Sequence, residues 1–254
     1  MSLAPNTQNY MLGRGKIYFD RFDATGARTG LLDLGNAPAF SINIETEKLD
    51  HYSSRSGLRV KDKSVILETN ITVNFTLDEI NVENLKLAFL GDTQGYTQTS
   101  GSASSESVTA IHDRYVELEH RRVSNVVVKD SGEVTTYVEG TDYLVDASAG
   151  MILALSSGSI TDGEGLSVSY DYASIDGQEI QAVTNPTVNG FLKFVGEPAA
   201  GLAYEGRFWS VDLTANGEVG FITESDWAQI NYTAEIAKDE INHPDSPYFS
   251  LFKI

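Results

Sequence analysis

The sequence predicts an all-β protein with one helix, in which a small inserted β domain splits a larger one. Three observations lead there. Apolar and polar residues alternate with period 2 through most of the patterned stretches, which is the mark of half-buried strands. Only one segment carries apolar residues at helical spacing. A Gly-, Ser-, Thr- and Gln-rich stretch at 93–107 separates two blocks of strand pattern, and its composition is that of a flexible linker.

Lys16–Phe22 is the first strand, and Leu31–Leu34 follows a Gly-rich turn. Phe40–Glu47 alternates cleanly, with Phe40, Ile42, Ile44 and Thr46 on one side and Ser41, Asn43, Glu45 and Glu47 on the other. Ser64–Leu77 repeats the arrangement: Val65, Leu67, Ile71, Val73, Phe75 and Leu77 oppose Ser64, Glu68, Asn70, Thr72, Asn74 and Thr76, while Ile66 and Thr69 interrupt it. Residues 48–63 between these strands are expected to form a long loop, since they exceed ordinary hairpin length. The helix is centred on Val82, Leu85, Ala88 and Phe89, with Asn81 as its N-cap and Gly91 at C′.

The insert, 108–175, offers short strands at Tyr115–Glu119, Ser124–Lys129, Val134–Val138, Tyr143–Val145, Met151–Leu155 and Leu166–Tyr172. Turn signals at Ser131-Gly132, Glu139-Gly140 and Asp162-Gly163 separate them, and the spacing suggests a small, immunoglobulin-like sandwich. Strand pattern resumes at Phe191–Val195, Phe208–Thr214 and Val219–Ile222, with Asn216-Gly217 predicting a hairpin turn between the last two. Gln229–Glu240 begins as an alternating strand, with a helix after Thr233 as the alternative, and the apolar tail Tyr248–Ile254 requires a docking place. The division expected is therefore 10–92 and 177–254 for the main domain, 93–107 for the linker and 108–175 for the insert. Two consecutive β domains are the alternative.

Composition narrows the function classes. The chain has 254 residues, 41% of them hydrophobic, with 12 Tyr, 11 Phe and 2 Trp, enough for a true core. It has no cysteine, which removes disulfides, thiolate metal sites and cysteine nucleophiles. No apolar run approaches the length of a membrane-spanning helix, and Met1–Asn9 lacks the apolar core of a secretion signal; a cytoplasmic site of synthesis is the expectation. The net charge is −18, which disfavours nucleic-acid binding through phosphate neutralisation. It is spread unevenly: 10 basic and 12 acidic residues in 1–92, 4 and 13 in 93–176, 4 and 11 in 177–254.

Catalytic patterns are lacking. The chain has no nucleophile elbow, no P-loop and no strand followed by G-x-G-x-x-G. His112 and His120 flank Asp113, Glu117 and Glu119, but on a strand both histidines would face away from those carboxylates, and no zinc spacing is matched. No enzyme, no cofactor and no metal are expected. Trp209, Trp227, Tyr232 and Phe208 could form a stacking platform for carbohydrate, though core packing accounts for them more simply. The Asn-x-Ser/Thr triplets at Asn70, Asn74 and Asn231 lie inside strands and read as chance.

Two features remain. The polar sides of the strands carry Glu45, Glu47, Glu68, Glu235 and Asp212. Beside them, residues 48–63 run against the overall charge: Lys48, Arg55, Arg59, Lys61 and Lys63 outnumber Asp50 and Asp62. A cationic projection on an anionic body suits contact with another copy, and head-to-tail contacts of that kind build rings or filaments. Leu49, Tyr52, Leu58 and Val60 would supply the buried area.

The run from Gly13 to Gly91 resembles the N-terminal half of the major tail tube proteins of long-tailed, siphovirus-type bacteriophages. The resemblance rests on Leu34-Gly35-Asn36 leading into Phe40–Glu47, on Leu49-Asp50-His51-Tyr52-Ser53-Ser54, on Val65–Phe75 and on the helix around Asn84–Leu90. Tyr137–Tyr172 resembles insert modules of the same group. The resemblance implies a virion tail protein, assembled in the host cytoplasm, whose six-membered rings stack into a hollow tube. In it, Phe40–Glu47, Ser64–Leu77, Phe208–Thr214 and Gln229–Ile236 line the bore, and the 48–63 loop reaches the next ring. DNA passes through without specific binding, and a tape measure protein and a tail terminator are the implied partners, with no membrane contact. On this reading Glu45, Glu47, Glu68, Asp212 and Glu235 face the lumen, while Lys48, Tyr52, Arg55, Leu58, Arg59, Lys61 and Lys63 make the inter-ring contact. A sheathless, non-contractile tail fits an external insert best. The alternative is a monomeric carbohydrate-binding or adhesive β-sandwich.

Overall fold

Most of the period-2 segments form strands and the helical segment forms a helix, as a computed structural model of the protein shows for residues 6–55 and 57–254. Part of the N-terminal stretch expected to be polar and signal-free, and Ser56 of the 48–63 segment, lie outside the described residues. In chain order the elements are β1 (Gly15–Arg21), β2 (Leu32–Asp33), β3 (Ala39–Ser53), β4 (Val60–Leu77), α1 (Val82–Ala88), β5 (Asp92–Gln98), β6 (Gly101–Thr109), β7 (Tyr115–Glu117) and β8 (Val123–Asp130). There follow β9 (Tyr143–Asp146), β10 (Met151–Ala154), β11 (Gly165–Tyr172), β12 (Ile175–Gln181), β13 (Val188–Gly196), β14 (Tyr204–Ala215), β15 (Ile230–Ile236) and β16 (Phe249–Lys253). The chain divides into two compact units, Met1–Thr93 with Ile180–Ile254, and Gln94–Glu179.

The first unit is one sheet in the order β2-β1-β13-β14-β15-β4-β3, with β16 paired to β14. The apolar tail thus docks as a strand, Phe249 opposite Phe208 and Lys253 opposite Tyr204. One face of the sheet curls around the core. Ile17, Leu34, Val73, Phe75, Leu77, Leu192, Phe208, Val211, Leu213, Ile230 and Tyr232 are all buried there. Phe40 of β3 stacks on Phe194 of β13 with ring centroids 4.5 Å apart, so strands far apart in the sheet order meet across the core.

Helix α1 closes that core. Asn81 caps it by accepting from the Asn84 N–H at 2.8 Å. The buried Asn84 side chain donates to the carbonyls of Leu34 and Glu79, and Tyr232 Oη donates to the Asn84 carbonyl at 2.6 Å. The C-terminus differs from expectation by one residue. Leu90, not Gly91, takes the left-handed conformation, at φ 50°, and the N–H groups of Leu90 and Gly91 bond back to Leu87 and Lys86, a Schellman pattern. Gly91 is needed for space instead: a Cβ there would lie 2.6 Å from the Gln181 carbonyl oxygen.

The second unit holds two three-stranded sheets, β7-β10-β9 and β6-β11-β8. They enclose a separate core that includes Val108, Val128, Tyr143, Ile152, Leu166 and Val168. The segment expected to be a flexible linker, 93–107, is in fact most of β5 and β6. β6 pairs along β11, Val108 opposite Leu166 and Gly101 opposite Tyr172, and β5 pairs with β12. Cross-strand partners override its linker-like composition. Gln98, at the end of β5, is buried and donates to the carbonyls of Arg121 and Ala173 at 2.8 and 2.7 Å. Two expected strands are absent. Val134–Val138 makes only an isolated bridge at Thr136. Val219–Ile222 lies in the connection after β14, with Phe221 and Ile222 exposed, and the Asn216 N–H bonds to the Asn231 carbonyl rather than across a hairpin.

One buried charge braces β1. Asp20 is 1% exposed. Burial raises its pKa, but the Arg28 Nε contact at 2.6 Å and the N–H groups of Gly30 and Thr29 outweigh it, and the carboxyl is held below its ordinary value. Asp20→Asn is expected to cost about 2 kcal/mol at neutral pH, the usual scale for hydrogen bonds to a charged group. Because the folded-state pKa is depressed, that contribution holds above about pH 4 and disappears as pH falls through the folded value; urea unfolding of both proteins from pH 7 to pH 3 should show the difference shrinking. Gly91→Ala should destabilise by about 1–3 kcal/mol through the clash with Gln181, read by the same urea midpoints.

Candidate functional site: an acidic sheet face and a projecting hairpin

Strands β14, β15, β4 and β3 are consecutive in the sheet, and their register aligns the polar residues of all four. Asp212 is opposite Glu235, and Glu235 is opposite Thr72. Thr72 is opposite Asn43, Asn70 opposite Glu45, and Glu68 opposite Glu47. Directly paired residues point to the same side of a sheet. Glu45, Glu47, Glu68, Asp212 and Glu235 therefore share one face, the one turned away from the core. Asp212 is half-buried and the other four are exposed.

The residues among these acids are neutral. Asn74 accepts from Thr233 Oγ1 at 2.9 Å, Asn231 accepts from Thr76 Oγ1 at 2.7 Å, and Asn43 donates to Glu45 at 2.8 Å. Among the described residues no ion pair involves any of the five acids. Two like-charged pairs, Asp212 with Glu235 and Glu47 with Glu68, sit directly across from each other, an arrangement that disfavours stability.

The 48–63 segment is not a loop. β3 and β4 continue as a paired ribbon to Ser53 opposite Val60, leaving only 54–59 as the tip. The pairing survives because the register shifts twice, between Glu47 and Lys48 and between His51 and Tyr52. At the first shift Leu67 is skipped, so Glu47 pairs with Glu68 while Lys48 pairs with Ile66. Such a bulge turns the following side chains over. Val65, expected on the core side with Ile71 and Val73, lies instead opposite Leu49 on the acid-bearing side, and Ile66 takes the core side. The interruption at Ile66 was the visible trace of this bulge.

The arm carries both charge and apolar surface. Lys61 pairs with Asp50 at 2.6 Å, His51 contacts Asp62 at 2.6 Å, and Arg59 lies over the Tyr52 ring at 5.2 Å. Lys61 and Ser64 hydrogen-bond Asp50 and keep its carboxyl below the usual range. Lys48, Arg55 and Lys63 form no ion pair among the described residues. Leu49 and Leu58 are 61% and 73% exposed, and Ile44, Val60, Val65, Ile66 and Leu67 are exposed beside them. β3 is also the end of the sheet order, so one edge of this 15-residue strand has no strand partner among the described residues. The opposite end is the two-residue β2.

The other sequence candidates separate. Phe208 and Tyr232 are core residues, Trp209 stacks on His243 at 3.7 Å, and Trp227 is 86% exposed, so the four aromatic residues form no common platform. The 112–120 run is not one strand, since β7 covers only Tyr115–Glu117. His112 is tied to the Ile160 carbonyl at 2.8 Å. His120 instead packs on Tyr172 and meets Tyr170.

Fold and surface together define a two-unit, all-β protein with a run of exposed apolar side chains along the β3–β4 hairpin. The chain belongs to the family described as "Protein of unknown function UCP028589", which matches residues 10–252. It is also 42% identical over 57 residues to the tail sheath protein of Burkholderia phage BcepMu, a stretch covering 22% of this chain. The chain spans 12% of the length of that curated relative. Over that stretch it is related to a phage tail protein.

Proposed function

We propose that this protein is the building block of a bacteriophage tail tube: rings, six-membered by the family resemblance, stack into a conduit through which DNA leaves the virion. The observation that carries the reading is the joint placement, among the described residues, of five acids without ion pairs on one face of β14-β15-β4-β3 and of a sheet edge without a partner strand, with a cationic, apolar arm at the end of that same face. Lateral addition at the β3 edge extends the sheet and covers the exposed strand. The arm, net positive on a strongly negative body, is steered to the acidic surface of the next ring, and its leucines and valines supply the buried area.

The acid face then lines the bore. Duplex DNA carries one negative charge per about 1.7 Å of axis, and a wall of carboxylates keeps it from adhering. Screening limits the repulsion to about 8 Å at physiological salt, enough to keep the duplex off the wall. The tail is taken to be of the non-contractile kind, as the resemblance to siphovirus-type tube proteins implies. The shared stretch with a tail sheath protein favours a second reading, a subunit of an outer tail layer; such a protein would assemble around a pre-existing tube and would not form narrow rods alone.

Negative-stain microscopy of the purified, concentrated protein tests the proposal, with hollow rods of duplex-admitting bore as the expected result and dispersed particles the result that defeats it. Arg55→Glu, Arg59→Glu and Lys61→Glu together should leave the circular dichroism spectrum unchanged and abolish rods; rods of normal length would disprove the arm's role. Glu45→Lys, Glu47→Lys, Glu68→Lys and Glu235→Lys in a tail that still assembles should slow DNA ejection at least tenfold. Ejection at the parental rate would show that wall charge is irrelevant.

A further inference from the structure

We propose that the 94–179 unit contains a zinc-type cation site formed by Glu106, Glu119 and His120. It is independent of the tube reading. Glu106 lies in β6, and Glu119 and His120 follow β7. One ligand atom of each lies within 4.8 Å of those of the other two. A tetrahedral ion with bonds of about 2.0–2.2 Å holds its donors roughly 3.4 Å apart. A small movement of the exposed Glu119 side chain closes the set, and water would complete the coordination.

The neighbours orient the donors. Tyr170 Oη donates to Glu106 Oε2, and the Glu119 N–H donates to Glu106 Oε1 at 2.9 Å. His120 Nδ1 meets Tyr170 Oη at 3.1 Å, and its ring stacks on Tyr172 with centroids 3.7 Å apart and planes 12° apart. Tyr170 has a single proton, committed to Glu106, so the imidazole is the donor in its contact with Tyr170 and Nε2 keeps a lone pair. Contacts of this kind hold metal ligands in position. Neither glutamate has an ion pair among the described residues, so two neighbouring carboxylates are left without a cation. One imidazole with two carboxylates suits zinc better than magnesium or calcium, which prefer oxygen-only shells.

The sequence pointed away from this arrangement because it treated 112–120 as one strand. The chain turns after Glu117, and Glu106 arrives from β6, across the unit.

Isothermal titration calorimetry of the full chain with ZnCl2, and with MgCl2 for comparison, decides the matter. One saturable zinc site is expected, weakened at least tenfold in both Glu119→Gln and His120→Ala. Thermal melting of metal-free Glu119→Gln should match the parent, since that side chain is exposed, so its loss of zinc binding reports a lost ligand. Absence of saturable zinc binding, parental affinity in Glu119→Gln, or magnesium binding as tightly as zinc overturns the proposal.

Discussion

Register across β14, β15, β4 and β3 is the constraint from which the remaining features follow. Side chains alternate with period 2, so a slip of one residue between any two of these strands would exchange their faces. Val211, Leu213, Ala234, Val73 and Phe75 would turn to water, and Asp212 and Glu235 would enter the core. An uncompensated buried charge costs several kcal/mol. The apolar core therefore determines the acid face: once one side packs, the polar residues of four strands have only the other side available.

That acid face does not serve stability. Carboxylates oppose carboxylates in two places, with no cation between them. The edge beside them is long, has no strand paired to it among the described residues, and runs into a ribbon with exposed leucines, valines and isoleucines. Soluble monomers usually blunt such edges and avoid contiguous apolar surface. Surfaces that cost stability in the isolated chain become favourable when a partner covers them, and here the acid face, the β3 edge and the apolar side chains of the ribbon adjoin one another. Even the paired charges of the arm, Lys61 with Asp50 and His51 with Asp62, leave its net charge opposite to that of the body.

The second unit solves a different problem. Its sheets are short, and polar links supplement a small core. Asp142 accepts from the N–H groups of Val138 and Ser159, each at 2.8 Å, which holds its carboxyl below the ordinary range. Tyr137 donates to Glu164, a bond that with burial pushes the phenol up to about 12. Gln98 ties the start of the unit to Arg121 and Ala173. Charged and amide groups bound to backbone N–H and C=O groups rigidify loops that apolar packing alone would leave loose.

By itself the sequence determined the all-β class, the helix from its Asn81 cap, most strands of both units, and the sidedness of Phe40–Glu47 and 68–77. Those follow from local periodicity and capping chemistry, which need no distant partner. Tertiary structure decided the rest. Residues 93–107 became strands because β11 and β12 supply backbone partners that composition does not announce. The 48–63 segment became an arm because two bulges let pairing continue past the core, a device that appears in sequence only as a broken alternation at Ile66. Val219–Ile222 pairs with no strand among the described residues, while Val219 packs on the core and the Phe221 ring lies 6.3 Å from that of Phe89. Glu45 and Asp212 met on one face, and Glu106 met His120, through hydrogen-bond registers between segments far apart in the chain; period 2 tells which side a residue faces within its own strand, and only pairing tells which other residues share that side.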